Sequence, residues 1–205
     1  MRFNSVFGAA VLSLSFLAGQ AFASGDVVEY VEAKQLTNPP PAVALNSFDR
    51  FEIAPISMGA PYAGQNANED AKKRLQANLD ERVQPLLREW NAADAKNQPP
   101  KTLKIEPAIR HVKFIGGGAR FWAGAAAGGS AVLMTVKLTD AATGEVIAEP
   151  EFYQHANKFG AAYSFGATDK NMLTRETELI TEYLRANYSA AVGGSTGKEN
   201  AADKK

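Results

Sequence analysis

Cysteine is absent from the 205 residues, so disulfides, thiolate metal sites, redox motifs, cysteine nucleophiles and a lipidated N-terminal Cys are excluded together. Net charge is absent too. With 22 Lys and Arg against 22 Asp and Glu, nothing draws the chain to a nucleic-acid backbone or an acidic membrane surface from a distance, and no nucleic-acid partner is expected. Only two histidines occur, His111 and His155, and no H-x-x-x-H or H-E-x-x-H pattern joins them. No metal site is expected. No serine sits in G-x-S-x-G, and no glycine run ends in the Lys-Ser/Thr of a P-loop or keeps dinucleotide-fold spacing, so neither a serine nucleophile nor a cofactor is expected. No apolar run reaches the roughly 20 residues that span a bilayer.

What is present begins with an address. Arg2 supplies a short cationic region, Val6 to Gly19 an apolar stretch, and Ala21-Phe22-Ala23 a small-residue cleavage site, which together predict a secretory signal peptide over residues 1–23. Ser24 follows the cut where an acylated precursor has Cys. The expected product is a soluble exported protein, periplasmic or secreted. Residues 24–46 carry Pro39-Pro40-Pro41 and little periodicity, and read as a proline-rich linker. Residues 191–205 offer little to bury and read as a disordered tail.

Residues 47–190 hold the one domain. Phe48 to Ile56 alternates as a first strand, with Phe51, Ile53 and Pro55 on one face. Asn66 and Glu69 form a capping box, after which Leu75, Leu79, Val83, Leu86, Leu87 and Trp90 recur at helical spacing for about seven turns. In Thr102 to Ile115 the inward parity changes near Arg110-His111, which predicts a bulge. Val132, Met134, Val136 and Leu138 make a half-buried strand, Asp140 to Gly144 a turn, and Glu145 to Ala156 a last strand that Pro150 places at an edge or bulge. A helix from Asp169 to Asn187 carries a stripe of Met172, Leu173, Leu179, Ile180, Tyr183, Leu184 and Tyr188. The order β-α-β-β-β-α predicts an α+β two-layer sandwich, a four-stranded mixed sheet with both helices on one face. The other sheet face, with Lys137 and Thr139, is expected to be solvated or to receive a partner.

Between the two central strands stands an oversized segment of glycine and alanine, Gly116 to Ser130, far longer than a hairpin turn needs. Gly117, Gly118, Gly124 and Gly128 permit close backbone approach, while Arg120, Phe121 and Trp122 supply anchoring groups; these seven are the candidate binding residues. Gly124 and Gly128 also form a G-x-x-x-G, which leaves open membrane association through a self-associating insert. The run Gly118-Ala119-Arg120-Phe121-Trp122-Ala123-Gly124, the alternating strand after it and Leu138 to Glu149 resemble the bacterial family catalogued as domain of unknown function 4410. That resemblance covers about residues 48–188, its specific part residues 117–149. It implies an exported envelope protein without established activity; many members are lipoproteins, and the missing acylated Cys sets this chain apart from them.

Catalytic constellations are not evident. Glu149 and Glu151 flank Pro150 on one strand face, a spacing equally expected of charges that guard an edge. With His155 they are the residues an envelope hydrolase acting on glycan or peptide would use. Phe152, Tyr153, Phe159, Tyr163 and Phe165 cluster before the last helix, as core or as a platform for a ligand. The expectation is therefore a non-enzymatic binding or assembly module of the cell envelope, with an envelope protein or cell-wall component as partner.

Overall fold

The alternating runs and the two apolar helical stripes assemble as a helix layer on a sheet, in a computed structural model that describes residues 32–113, 130–156 and 167–199, all within the unit Val31–Lys205. Strands are β1 (Thr37–Asn38), β2 (Arg50–Ile53), β3 (Ser57–Met58), β4 (Thr102–Lys113), β5 (Ala131–Asp140), β6 (Val146–Ala148), β7 (Glu151–His155) and β8 (Gly194–Ser195). The helices are α1 (Asn66–Asn91) and α2 (Ala167–Ser189). Six strands form the main sheet in four positions: β2 and β3 lie one after the other parallel to β4, β5 runs antiparallel to β4, and β6 and β7 follow each other antiparallel to β5. The class is α+β with a mixed sheet. One core joins the inner sheet face to both helices, with Ile105, Ile109, Met134, Leu138 and Phe152 meeting Leu75, Leu79, Leu87, Met172, Leu173 and Ile180.

Proline explains where the strands break. The first strand stops at Pro55, which has no N–H, and its inward phase slips there: Ile56 is buried and Pro55 exposed, the reverse of simple alternation. The Ile56 N–H turns instead to the side chain of Gln76 on α1, at 2.8 Å. Pro150 likewise separates β6 from β7, and the register of β5 shifts beside it. The bulge expected near Arg110 is present, because Ile109 faces Met134 and His111 faces Leu133 while Arg110 has no partner in the ladder. Pro85 stands inside α1 on its exposed face, where a carbonyl left without its helical partner costs less than it would in the core.

Three expectations need correction. Asn66 is the first helical residue rather than the cap; Glu69 reaches back to accept the Gly64 N–H at 2.9 Å, and the positive φ of Gly64 turns that N–H toward it. The outer sheet face is not simply solvated, since Ala131, Leu133 and Tyr153 are buried in a small second cluster with Ala33. The ends described within residues 24–46 and 191–205 are also not loose. Backbone bonds join Ala42 to Ile147, Thr196 to Leu36 and Tyr153 to Thr196, so a strap of residues 32–43 and a returning segment of residues 192–197 close the β6–β7 edge. Their strands are two residues long, too short for any sequence period to reveal.

Candidate functional site

The seven glycine-rich candidates, Gly117, Gly118, Arg120, Phe121, Trp122, Gly124 and Gly128, lie outside the described residues, as do Phe159, Tyr163 and Phe165. Phe152 and Tyr153 are buried, on opposite faces of β7. The remaining candidates can be placed, and most of them are engaged in holding the fold.

His111 sits on the outer face of β4, 1% exposed, with its Nδ1 2.6 Å from the Tyr62 hydroxyl and its ring edge-on to that tyrosine. Burial, with the charge of Lys113 beside it, pulls its pKa down. The ring is therefore held neutral. Its Nε2 is buried with no hydrogen-bond partner among the described residues. His155 lies on β7 opposite Ala131, its ring parallel to that of Tyr153. Register places both histidines on the outer face, on strands either side of β5, and no group of three or more metal-binding side chains occurs among the described residues.

Glu149 and Glu151 line one shallow pocket of ≈ 150 Å³ with Lys34, Asn38 and Thr196. The Glu151 carboxylate is occupied there. It accepts the Lys34 backbone N–H at 3.0 Å and lies 3.8 Å from the Lys34 ammonium, so it pins the strap. His155 does not line this pocket. An acid–base pair of Glu151 with His155 is thus not assembled.

The margin around that pocket is built by side chains that imitate a strand. Asn38 accepts the Glu151 N–H at 2.8 Å and donates to the Glu151 carbonyl at 2.7 Å and the Ser195 carbonyl at 3.2 Å. At the far edge Asn91 repeats the device on Phe51, accepting its N–H at 2.7 Å and donating to its carbonyl at 3.0 Å. Both sheet edges are thereby closed to further pairing at these points. Gly193 crosses the strap with a positive φ, where a Cβ would collide with the Asn38 carbonyl, and the Tyr183 hydroxyl donates to Pro39 O at 3.1 Å. Burial raises the Tyr183 phenol to about 12.

The same margin also carries what is apolar and exposed. Among the described residues the large exposed hydrophobics are Leu36, Val43, Val146 and Val192, which lie on the strap, on β6 and on the segment returning from α2. No described helix is long and apolar enough to cross a membrane.

Sequence reasoning passed over four residues that the structure makes prominent: Asn38, Asn91, Asp49 and Glu176. The amides carry no pattern that marks them. Glu176 does, because it falls within the spacing of Met172, Leu173 and Ile180, where a charge breaks the stripe.

No protein-family model matches the chain, and no curated protein matches it. Among solved structures, a PelC dodecamer from Paraburkholderia phytofirmans is similar at 15% identity and a TM-score of 0.35, over 68% of this chain and 91% of that one. A hypothetical protein from Chlamydia trachomatis is similar at 9% identity and 0.36, over 68% and 99%. A DUF330 protein from Xanthomonas campestris is similar at 15% and 0.36, over 84% and 98%. At values this low the likeness carries no functional weight.

Proposed function

We propose that the protein is an exported, non-enzymatic binding or assembly module of the bacterial cell envelope. Its partner is an envelope protein or cell-wall component, met through the strap margin beside β6 and β7 together with the glycine-rich segment that holds Arg120 and Trp122. One observation carries this reading: the exposed Leu36, Val43, Val146 and Val192 belong to the segments that close one sheet edge. Exposed apolar groups scattered singly mean little, but several on the segments of one margin, which also carries Glu149, Glu151 and Lys34, have the make-up of a contact surface. Trp and Arg are the residues most often found to anchor such surfaces, which is the reason to include Arg120 and Trp122.

The test is crosslinking and co-purification from the native cells. Wild type is compared with the double variant Arg120→Ala, Trp122→Ala and, separately, with Val146→Lys, each checked for fold by circular dichroism and melting. A defined envelope protein or a wall fragment captured by wild type, and reduced at least tenfold in either variant, is the expected result. Equal capture by all three, or no capture by any, overturns the reading.

A further inference from the structure

Glu176 lies in the middle of the inward stripe of α2, between Met172, Leu173 and Ile180, with no surface exposed. Neither carboxylate oxygen has a hydrogen-bond partner among the described residues, and the only favourable influence on the charged form comes from the Met134 backbone of β5. A charge in such a place loses its water and gains nothing comparable, so the carboxyl is stable there only as the neutral acid. Burial drives its pKa well above the ordinary carboxylate range.

The groups around it explain why no described neighbour compensates. The inner face of β5 offers Val132, Met134 and Val136, that of β4 Ile109 and Val112, and α1 contributes Leu75, Leu79 and Val83. On β7 the inward residues are Phe152 and Gln154, neither of which titrates. Arg175, the next residue along α2, gives its Nε to Gln154 at 3.1 Å, and Arg82 of α1 pairs with Glu178 at 3.8 Å on the exposed flank. Glu106, Lys137, His111, Lys113, Glu151 and His155 stand on the outer sheet face, with the sheet between them and Glu176.

The two halves of α2 are held differently. Toward its C-terminus the helix is tied by Tyr183 to Pro39, by Asn187 to Val192 and Gly193, and by Tyr188 stacked on Trp90 at 4.2 Å. Around Glu176 the described ties are apolar contacts, the Arg175–Gln154 bond and the exposed Arg82–Glu178 pair. We propose that Glu176 is a proton-operated latch: protonated, it lets the first half of α2 seat on β5 and β7; ionised, it releases that half while the second half stays anchored. The sign follows from the raised pKa. Seating is fully present below the ordinary carboxylate value of 4.5 and is lost as pH rises through the higher folded-state value. The region uncovered on release is the apolar inner face at Met134 and Phe152.

Hydrogen exchange of the full chain across a pH series, corrected for the intrinsic rate, tests this. Protection of residues 171–180 in the wild type is expected to fall about tenfold per pH unit above about 4.5, levelling once the buried carboxyl itself ionises, while protection of β4 and of residues 183–189 holds. Glu176→Gln, permanently neutral, is expected to remove the dependence. Glu176→Met, which fills similar volume without a charge, gives the same readout if the amide disrupts the core. Protection of residues 171–180 that does not change with pH, a fall shared equally by β4, or a dependence retained in both variants overturns the latch.

Discussion

At the scale of single residues the chain contains two carboxyls in opposite circumstances. Asp49 is also buried, and burial alone would raise its pKa. Hydrogen bonds reverse the outcome: the carboxylate accepts the backbone N–H groups of Lys96 at 2.6 Å, Asn97 at 3.3 Å and Lys101 at 2.8 Å, and the Asn97 side chain at 2.8 Å. The result is a pKa lowered to about 2. Asp49 thereby fastens the loop between α1 and β4 to the start of β2. Because the folded value lies below the ordinary 3.8, the stabilisation is present above 3.8 and disappears as pH falls through about 2. Asp49→Asn is therefore expected to melt below the wild type at pH 7, with the gap narrowing as the pH is lowered from 4 to 2. A melting series in that window checks it, and a gap that stays constant would show that the charge contributes nothing. Glu176 has the opposite sign, so the two carboxyls tilt the acid and neutral limbs of the stability profile in different directions.

At the scale of elements, much is legible in the sequence. The 3.6-residue recurrence from Leu75 to Trp90 and the alternation from Val132 to Leu138 are periodic enough to specify α1 and β5, and the parity change at Arg110 revealed its bulge. Illegible were features made by tertiary contact. Asn91 ends α1 and caps the edge of β2, a task that depends on where the helix stops over the strand and not on any neighbour in sequence. Its loss should be felt. In Asn91→Ala the Phe51 N–H and carbonyl both lose their partner in a half-buried place, which costs about 1–3 kcal/mol for an unmet group. Urea denaturation is expected to show a loss in that range with an unchanged m-value, whereas a loss below about 0.5 kcal/mol, the scale of ordinary surface changes, would mean that water replaces the amide. The aromatic clasp nearby, Phe51 on Trp90 on Tyr188, keeps β2, α1 and α2 together in either case.

At the scale of the whole molecule, the margin that the proposed contact uses is also the one that the chain's two ends complete. The proline triplet and the lack of a period in residues 24–46 read as a linker, whereas the strap within them bonds through one asparagine, a few isolated amides and a carboxylate. Such bonds leave no period. Yet they close β7, whose Glu151 N–H and carbonyl are both taken by Asn38 and whose Tyr153 N–H is taken by the Thr196 carbonyl. An uncovered edge strand of alternating apolar residues is a template for another chain. Deleting residues 32–43 removes Asn38 from Glu151, Ala42 from Ile147 and Leu36 from Thr196, so the returning segment should come away as well. The deleted protein is expected to associate with itself through the bare edge, at concentrations where the full chain keeps its own size, and to melt well below it. Light scattering over a dilution series, with the milder Asn38→Ala as the intermediate case, measures this. If the deletion variant keeps the wild-type size and melting temperature, the strap is decoration; the surface carrying Leu36 and Val43 would then be free to leave the sheet, and a partner reading that margin would have to bind a mobile segment instead of a preformed one.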